Sequence, residues 1–272
     1  MRTKKDLMIL GCVAAVLLVV GAFADLQISH ALYNQESVFG KIFEAVGEFP
    51  ASFIASFCAM SVAVVQKQQK GNIGFKCAGS FILALLFGLM AGMLPMKYFG
   101  APMAAGVVLA IIIIAADLFM AKAVAKNSSE ELYKAAVLGL ELFLIVILVF
   151  NMIKLGWGRE RYRHMAASGD FTGFSMWLIP QGLASGNEFM SFPSGHSANA
   201  AIVMWITLIP SFVSLMKGKE TLLKVVAGVW IGCVMLSRII MGAHFVSDVT
   251  MGMTISLVTF YLLYQRKYNK AV

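Results

Sequence analysis

Long apolar runs constrain this 272-residue chain more than any other feature of its sequence. A helix that spans the hydrocarbon core of a bilayer needs about 20 predominantly apolar residues. Eight runs approach that length, at residues 7–24, 50–65, 78–96, 103–121, 135–153, 198–216, 222–241 and 245–264. The pattern predicts an all-α membrane protein, a polytopic helical bundle of about eight transmembrane helices.

The composition excludes most other protein classes. Hydrophobic residues make up 60% of the chain and charged residues 13%, against roughly 25% charged residues in soluble domains. A disordered protein or an ordinary cytosolic enzyme is therefore excluded. The net charge of +8 comes from short basic clusters between apolar runs, so it indicates cytoplasmic anchoring and no nucleic-acid partner. The four cysteines form no CxxC pair, and neither a zinc site nor a disulfide framework is predicted.

The distribution of Lys and Arg predicts the orientation in the membrane. With both termini in the cytoplasm, five inside segments hold fifteen of the 22 Lys and Arg residues, Arg2 and Lys270 among them. Of the seven outside, five lie at residues 154–163 and at Arg238. Because these five are on the disfavoured side, we expect another role for them.

Two outside segments are long, residues 25–49 and 154–197. Helical spacing of apolar residues from Val38 to Phe49 predicts a helix on the outer membrane surface. Before the first of these segments, residues 7–24 follow three cations and end in Ala22-Phe23-Ala24, which resembles a signal-peptide cleavage site. The run is long for a signal peptide, and we expect a retained anchor.

The outer ends of the last four predicted spans carry the polar chemistry. Lys154, Arg161 and Arg238 would surround a phosphoryl group with charge-assisted hydrogen bonds. Ser194 and Gly195 stand where a helix is predicted to begin, and its free N–H groups favour an anion. The pattern indicates a phosphate site without an acidic metal-binding cluster, so we expect no cofactor and no metal.

Two histidines near these cations predict nucleophilic and acid–base chemistry. His244 and Asp248 are four residues apart, which would place them on one helix face. The carboxylate would accept from one imidazole nitrogen and leave the other free to attack. His196 supplies the second histidine, so that one acts as nucleophile and one as general acid.

These residues resemble the three-part signature of the type 2 phosphatidic acid phosphatase superfamily, KxxxxxxRP, PSGH and SRxxxxxHxxxD. The resemblance covers residues 135–264, and its motifs read Lys154 to Arg161, Pro193 to His196, and Ser237-Arg238 through His244 to Asp248. It implies a metal-independent lipid phosphatase with a six-helix core. One position departs from the signature, because Tyr162 stands where the family has proline.

The resemblance also implies a role for each matching residue. It implies His244 as the nucleophile that forms a phosphohistidine, His196 as the general acid and Asp248 as the orienting carboxylate. Phosphate-binding residues would be Lys154, Arg161, Ser194, Gly195 and Arg238. Arg159 and Arg163 flank Arg161 and compete for its role, but the spacing from Lys154 selects Arg161.

We therefore predict a hydrolase that acts on a lipid phosphate or pyrophosphate at the outer face of the cell membrane. Residues 78–272 would form the phosphatase core, with its signature in 154–248, and residues 1–77 would add spans and the interfacial helix. The resemblance implies phosphatidic acid, phosphatidylglycerophosphate and undecaprenyl pyrophosphate as candidate substrates. The same residues would also serve a lipid phosphotransferase, and a transporter or binding protein could retain such a phosphate pocket. The sequence indicates no oligomeric state.

Two acidic residues inside predicted spans stand apart from this site. Asp117 and Glu141 lie at similar depth near the cytoplasmic side. Intramembrane acids suggest a proton or ion relay, which supports the transporter alternative. We favour a simpler interpretation, in which Lys122 or Lys224 pairs with them.

Overall fold

A computed structural model describes residues 3–70 and 74–269, and these contain helices and no strand. Arg2 and Lys270, two of the cations used for the predicted orientation, lie outside the described residues. The α-helices are α1 Lys4–Leu32, α2 Val38–Val46, α3 Phe49–Lys70, α4 Phe75–Phe99, α5 Met103–Trp157, α6 Tyr162–Ser168, α7 Gly195–Ile202, α8 Glu220–Ile240 and α9 Val246–Tyr268.

The predicted helical membrane fold is confirmed, but the count of eight spans is not. Within the described residues, six helices are long and apolar enough to cross a membrane. The predicted runs 103–121 and 135–153 both lie in the 55-residue helix α5. The predicted run 198–216 forms the short helix α7 and then a 3₁₀ segment, Val203–Ser211.

Helix α5 folds back on itself at Ser128. A straight helix of 55 residues would be about 80 Å long, far more than the thickness of a bilayer. Ser128 breaks it with φ −146° and ψ 43°. Before the break, Asp117 accepts a hydrogen bond from Ser56 of α3, and after it Gly139 packs against Cys58 of α3. The two halves therefore lie side by side along α3.

Helix α3 is the central helix of the bundle. Its residues from Ala51 to Val65 are buried almost without interruption, and they belong to the main hydrophobic cluster together with α5, α7 and α9. Helix α1 packs along α9, and its Asp25 is fully buried. The segment predicted as an N-terminal addition thus packs into the same core as the second half of the chain.

Helix α2 forms where the apolar spacing predicts a helix. It packs against α8, because Phe43 meets the Trp230 ring and Gly40 lies against Met241. Ser37 caps its N-terminus by accepting from the Gly40 N–H. These contacts hold its last turn over the end of the bundle that carries His196.

The predicted partners of the two intramembrane acids are wrong. Asp117 is completely buried and bonds to the Ser56 hydroxyl at 2.5 Å. Glu141 pairs with Lys267 at 3.0 Å and with Arg266. Lys224 instead pairs with Asp6 at the start of α1. The cause is tertiary packing, which brings groups of α3 and α9 closer to these acids than either lysine.

Close packing of α4 on α5 gives a prediction about stability. A side chain at Gly92 would meet the Gly106 carbonyl and Ala110 of α5 at 2.5–2.7 Å. We expect Gly92→Leu to destabilise the fold by about 1–3 kcal/mol, since overpacking forces the helices apart. Thermal unfolding in detergent measures this. Gly79→Leu on the same helix is the matched control, because no other group lies near that position. Equal midpoints for the two variants would contradict the predicted helix contact.

Candidate active site

Four chain segments meet at one end of the bundle and form the candidate active site. They are the end of α5 with the turn after it, residues 191–196, the end of α8, and the turn before α9. Gly158 (φ 61°) ends α5 and Gly242 (φ 60°) turns the chain between α8 and α9. Both glycines adopt a left-handed conformation that other residues rarely accept. The chain therefore turns at Gly158 and again at Gly242, next to the polar residues of the candidate site.

His244 is fixed by a backbone carbonyl. It lies in the turn two residues before α9, not on the helix as the spacing predicted. Its Nδ1 is 2.6 Å from the Ser191 carbonyl oxygen, and since a carbonyl only accepts, Nδ1 carries the proton. Nε2 is then the nitrogen with a free lone pair, which is the form that a nucleophile requires.

Asp248 organises the surroundings of His244. Its Oδ2 lies 3.9 Å from His244 Nδ1, beyond hydrogen-bond distance. The same oxygen accepts from the Ser191 hydroxyl at 2.6 Å and from the Phe245 N–H at 2.8 Å. The expected direct hydrogen bond is therefore replaced by contacts to the segments on both sides of the histidine.

Three cations act on this histidine through their charges, and they are Lys154, Arg161 and Arg238. Arg161 donates to Asn187 at 3.2 Å, and Arg238 forms an ion pair with Glu44 at 2.9 Å. The Nε atoms of both arginines have no hydrogen-bond partner among residues 3–70 and 74–269. The site therefore has donor capacity for an anion.

Ser194 and Gly195 form the start of α7, as the sequence predicted. The Ser194 hydroxyl caps the helix by accepting from the Ser197 N–H, so this buried side chain serves the helix terminus. Gly195 lies against Phe150, and a Cβ there would be 3.6 Å from Lys154 Nζ. A larger residue at Gly195 would fill the space between the helix terminus and the lysine.

His196 contacts two glutamates that the sequence analysis missed. Its Nδ1 is 3.5 Å from Glu48 Oε1, and its Nε2 donates to the Glu44 carbonyl at 3.3 Å. Asn199, one turn further along α7, holds Glu48 at 2.9 Å. Glu44 lies in α2 and Glu48 directly precedes α3, both far from the signature in sequence. Only their acidic character within an apolar segment marks them.

Arg159 is held by two carboxylates. It is fully buried and bonds to Asp25 at 3.0 Å and to Asp248 at 2.5 Å. Its guanidinium also lies 4.2 Å from the centre of the Phe245 ring. Arg163 likewise has an acidic partner, because it donates hydrogen bonds to both carboxylate oxygens of Glu188. Of the three neighbouring arginines, Arg161 is the one whose charge acts on His244.

Tyr162 occupies a position that suits the proline of the signature. It is the first residue of α6, where proline is well tolerated. Arg161 before it has φ −82° and ψ 145°, a conformation typical of residues that precede proline. Tyr162 instead uses its hydroxyl, 2.6 Å from His30 Nδ1, to connect α6 with α1.

The pKa values of the two histidines are lowered. Burial and then the charges of Lys154, Arg161 and Arg238 hold the pKa of His244 well below its usual range. Burial lowers the pKa of His196 to about 4, although the Glu48 carboxylate acts in the opposite direction. Among the described residues, no group of three His, Cys, Asp or Glu side chains is arranged to hold a metal ion.

Comparison with known proteins identifies a family and one relative. Residues 135–271 match the family model of the PAP2 superfamily, which is half of the chain. Phosphatidylglycerophosphatase B of Bacillus subtilis (strain 168) is 41% identical over 76 residues. That match covers 27% of this chain and 37% of the relative, so well under two thirds of the relative is matched. No solved structure matches the chain.

The lowered histidine pKa values predict acid sensitivity of the fold. Below pH ~6.5 an unfolded histidine binds a proton, whereas folded His196 does so only near its pKa of about 4. The unfolded state thus binds more protons between these values, and stability falls as the pH falls through this window. We expect the unfolding midpoint to drop by several degrees between pH ~7 and pH ~4.5.

The double variant His196→Gln/His244→Gln measures the contribution of these two histidines. It should lose less of its thermal stability on acidification than the wild type does. His164→Gln, an exposed histidine outside the site, is the control and should behave as the wild type. Equal acid sensitivity of the double variant and the wild type would contradict the prediction.

Proposed function

The chain belongs to the PAP2 superfamily, and from this premise we propose that it is a membrane phosphatase that releases phosphate from a lipid. The observation that carries the proposal is the environment of His244. One ring nitrogen is anchored to a backbone carbonyl, and the cations Lys154, Arg161 and Arg238 act on the ring from nearby. A neutral imidazole among cations is suited to attack a phosphoryl group.

In the proposed reaction His244 Nε2 attacks phosphorus and forms a phosphohistidine. The bond from phosphorus to the lipid oxygen breaks, and His196 gives that oxygen a proton. Water then attacks the phosphohistidine, giving its proton to His196, and inorganic phosphate and free His244 result. Lys154, Arg161 and Arg238 stabilise the negative charge on the phosphoryl oxygens in both steps, and no metal takes part.

In this proposal His196 becomes an acid only when phosphate binds, because its pKa of about 4 leaves the ring neutral before that. Glu48 already favours the protonated ring, and a bound phosphate dianion would favour it further by adding negative charge. A phosphate also competes with Glu44 for Arg238. Substrate binding and protonation of the general acid are therefore coupled in this proposal.

A lipid substrate at the outer face agrees with the placement of the site. The catalytic groups lie at one end of an apolar bundle, and the ion pairs of Lys224 and Lys267 lie at the other end. An excess of cations at that other end supports its cytoplasmic location. A lipid reaches such a site by lateral diffusion. Phosphatidylglycerophosphate, phosphatidic acid and undecaprenyl pyrophosphate are the substrates to test first.

Phosphate release by the purified protein tests the function. We expect wild-type protein to release phosphate from at least one of these lipids with EDTA present, and His244→Ala to lose at least about 100-fold in kcat. The control is Asp117→Asn/Glu141→Gln, because both acids bond to groups outside the site. This double variant should retain wild-type activity.

Each other outcome contradicts a defined part of the proposal. No release from any lipid by folded protein would favour phosphotransfer or a transporter. Activity that survives His244→Ala would exclude the assigned nucleophile. Loss of activity with EDTA, restored by a divalent metal, would exclude metal independence.

Glu48 gives a separate prediction about the pH profile. Because its charge raises the pKa of His196, Glu48→Gln should leave less of the general acid protonated. We expect a several-fold lower kcat at neutral pH and a high-pH limb displaced to lower pH. Glu36→Gln is the matched control, since this exposed acid pairs with Lys41. An unchanged profile in Glu48→Gln would contradict the role of Glu48.

A further inference from the structure

We propose that Asp25, on the N-terminal helix α1, is a positioning residue that sets the geometry of His244 through Arg159 and Asp248. This inference rests on the proposed function for its kinetic readout. Asp25 lies far outside residues 135–271, the part of the chain that matches the family model. It does not touch the reacting atoms. Its effect passes to the segments beside His244 through Arg159 and Asp248.

The first contact joins Asp25 to the start of α9. The carboxylate is 1% exposed, and its Oδ1 accepts from the Ser247 N–H at 3.1 Å. The Ser247 hydroxyl donates to the other oxygen, Oδ2. Asp25 therefore fixes the residue immediately before Asp248.

The second contact joins Asp25 to Arg159. Nη2 of Arg159 donates to Asp25 Oδ2 at 3.0 Å, and Nη1 donates to Asp248 Oδ1 at 2.5 Å. Nε donates to the Ser175 carbonyl at 3.0 Å. Every nitrogen of this buried guanidinium thus has an acceptor, and its orientation is determined by a carboxylate on each side.

The third step runs from Asp248 to the histidine. While Oδ1 of Asp248 holds Arg159, Oδ2 holds the Ser191 hydroxyl at 2.6 Å and the Phe245 N–H at 2.8 Å. The Ser191 carbonyl then accepts from His244 Nδ1 at 2.6 Å. Both segments that determine the direction of His244 Nε2 are therefore attached to Asp248.

Charge explains why Asp25 matters to this chain of contacts. A buried guanidinium is costly unless carboxylates and hydrogen bonds compensate it. An Asn side chain at position 25 would place its N–H₂ group against either the Arg159 guanidinium or the N–H and O–H groups of Ser247. All of these groups are hydrogen-bond donors, so one contact would lose its acceptor. For charge compensation Arg159 would then rely on Asp248 alone, and we expect the guanidinium to shift toward that carboxylate. Displacement of a reacting group by about 1 Å costs on the order of 100-fold in rate.

The experiment compares kinetic constants of four full-length variants in detergent. We expect Asp25→Asn to lower kcat by roughly 10–100-fold with KM within about threefold of wild type, because the lipid phosphate is bound by other residues. Asp6→Asn is the matched control on the same helix, since Asp6 pairs with Lys224 at the other end of the bundle. It should leave kcat unchanged.

A double-mutant cycle separates positioning from a general loss of stability. If Asp25 acts through Asp248, then Asp25→Asn/Asp248→Asn has the same kcat as Asp248→Asn alone. The proposal would be overturned if the double variant showed the product of the two single-variant losses in kcat. It would also be overturned if folded Asp25→Asn kept a kcat within twofold of wild type. Should Asp25→Asn fail to fold, Ser247→Ala removes one bond to Asp25 and one to Arg159, and a severalfold lower kcat is expected. An unchanged kcat in that variant would overturn the proposal.

A spectroscopic readout keeps the inference independent of the proposed function. The chain has four histidines, so the imidazole NMR signals of His244 are assigned by their loss in His244→Gln. We expect the Nδ1–H signal to move in Asp25→Asn and to stay in Asp6→Asn. A wild type without activity, but with this shift, would contradict the phosphatase and leave the positioning contact established. An unmoved signal would overturn the positioning role.

Discussion

The buried guanidinium of Arg159 is the interaction on which the arrangement of the site depends. Removing a charge from water costs several kcal/mol unless it is paired and hydrogen-bonded in place. Arg159 meets this requirement with Asp25 from α1, Asp248 from α9 and the Ser175 carbonyl. Since the three partners come from separate parts of the chain, the requirement can be satisfied only when those parts are packed together.

The same requirement divides the basic residues at this end of the bundle into two kinds. Arg159 and Arg163 form ion pairs with neighbouring acids. The charges of Lys154, Arg161 and Arg238 instead act on His244. Glu44 and Glu48 add acidic groups beside Arg238 and His196. The two histidines of the proposed reaction therefore each have a hydrogen-bond acceptor within reach, and His196 also has a carboxylate beside it.

The interpretation of the N-terminal third changes most between sequence and structure. As a sequence, residues 1–77 lie outside the signature and suggest added spans. In the fold, α3 occupies the centre of the hydrophobic cluster, and α1 supplies a carboxylate to the network around Asp248. A membrane helix with few polar residues gives no periodic signal for its partners, so such contacts are invisible before packing.

The sequence alone determined the helical membrane class, the family and the motif residues, because hydrophobic length and short-range spacing are local properties. The spacing from Lys154 also favours Arg161 over Arg159 and Arg163 as the phosphate-binding arginine, and this assignment stays a prediction. Only the tertiary structure decided that Ser191 holds the His244 ring, that Asp117 and Glu141 bond to Ser56 and to Arg266 and Lys267, and that α5 folds back at Ser128. These features depend on distances between groups that are far apart in the chain. They form because a polar group that is buried by folding costs free energy unless it finds a hydrogen-bond partner.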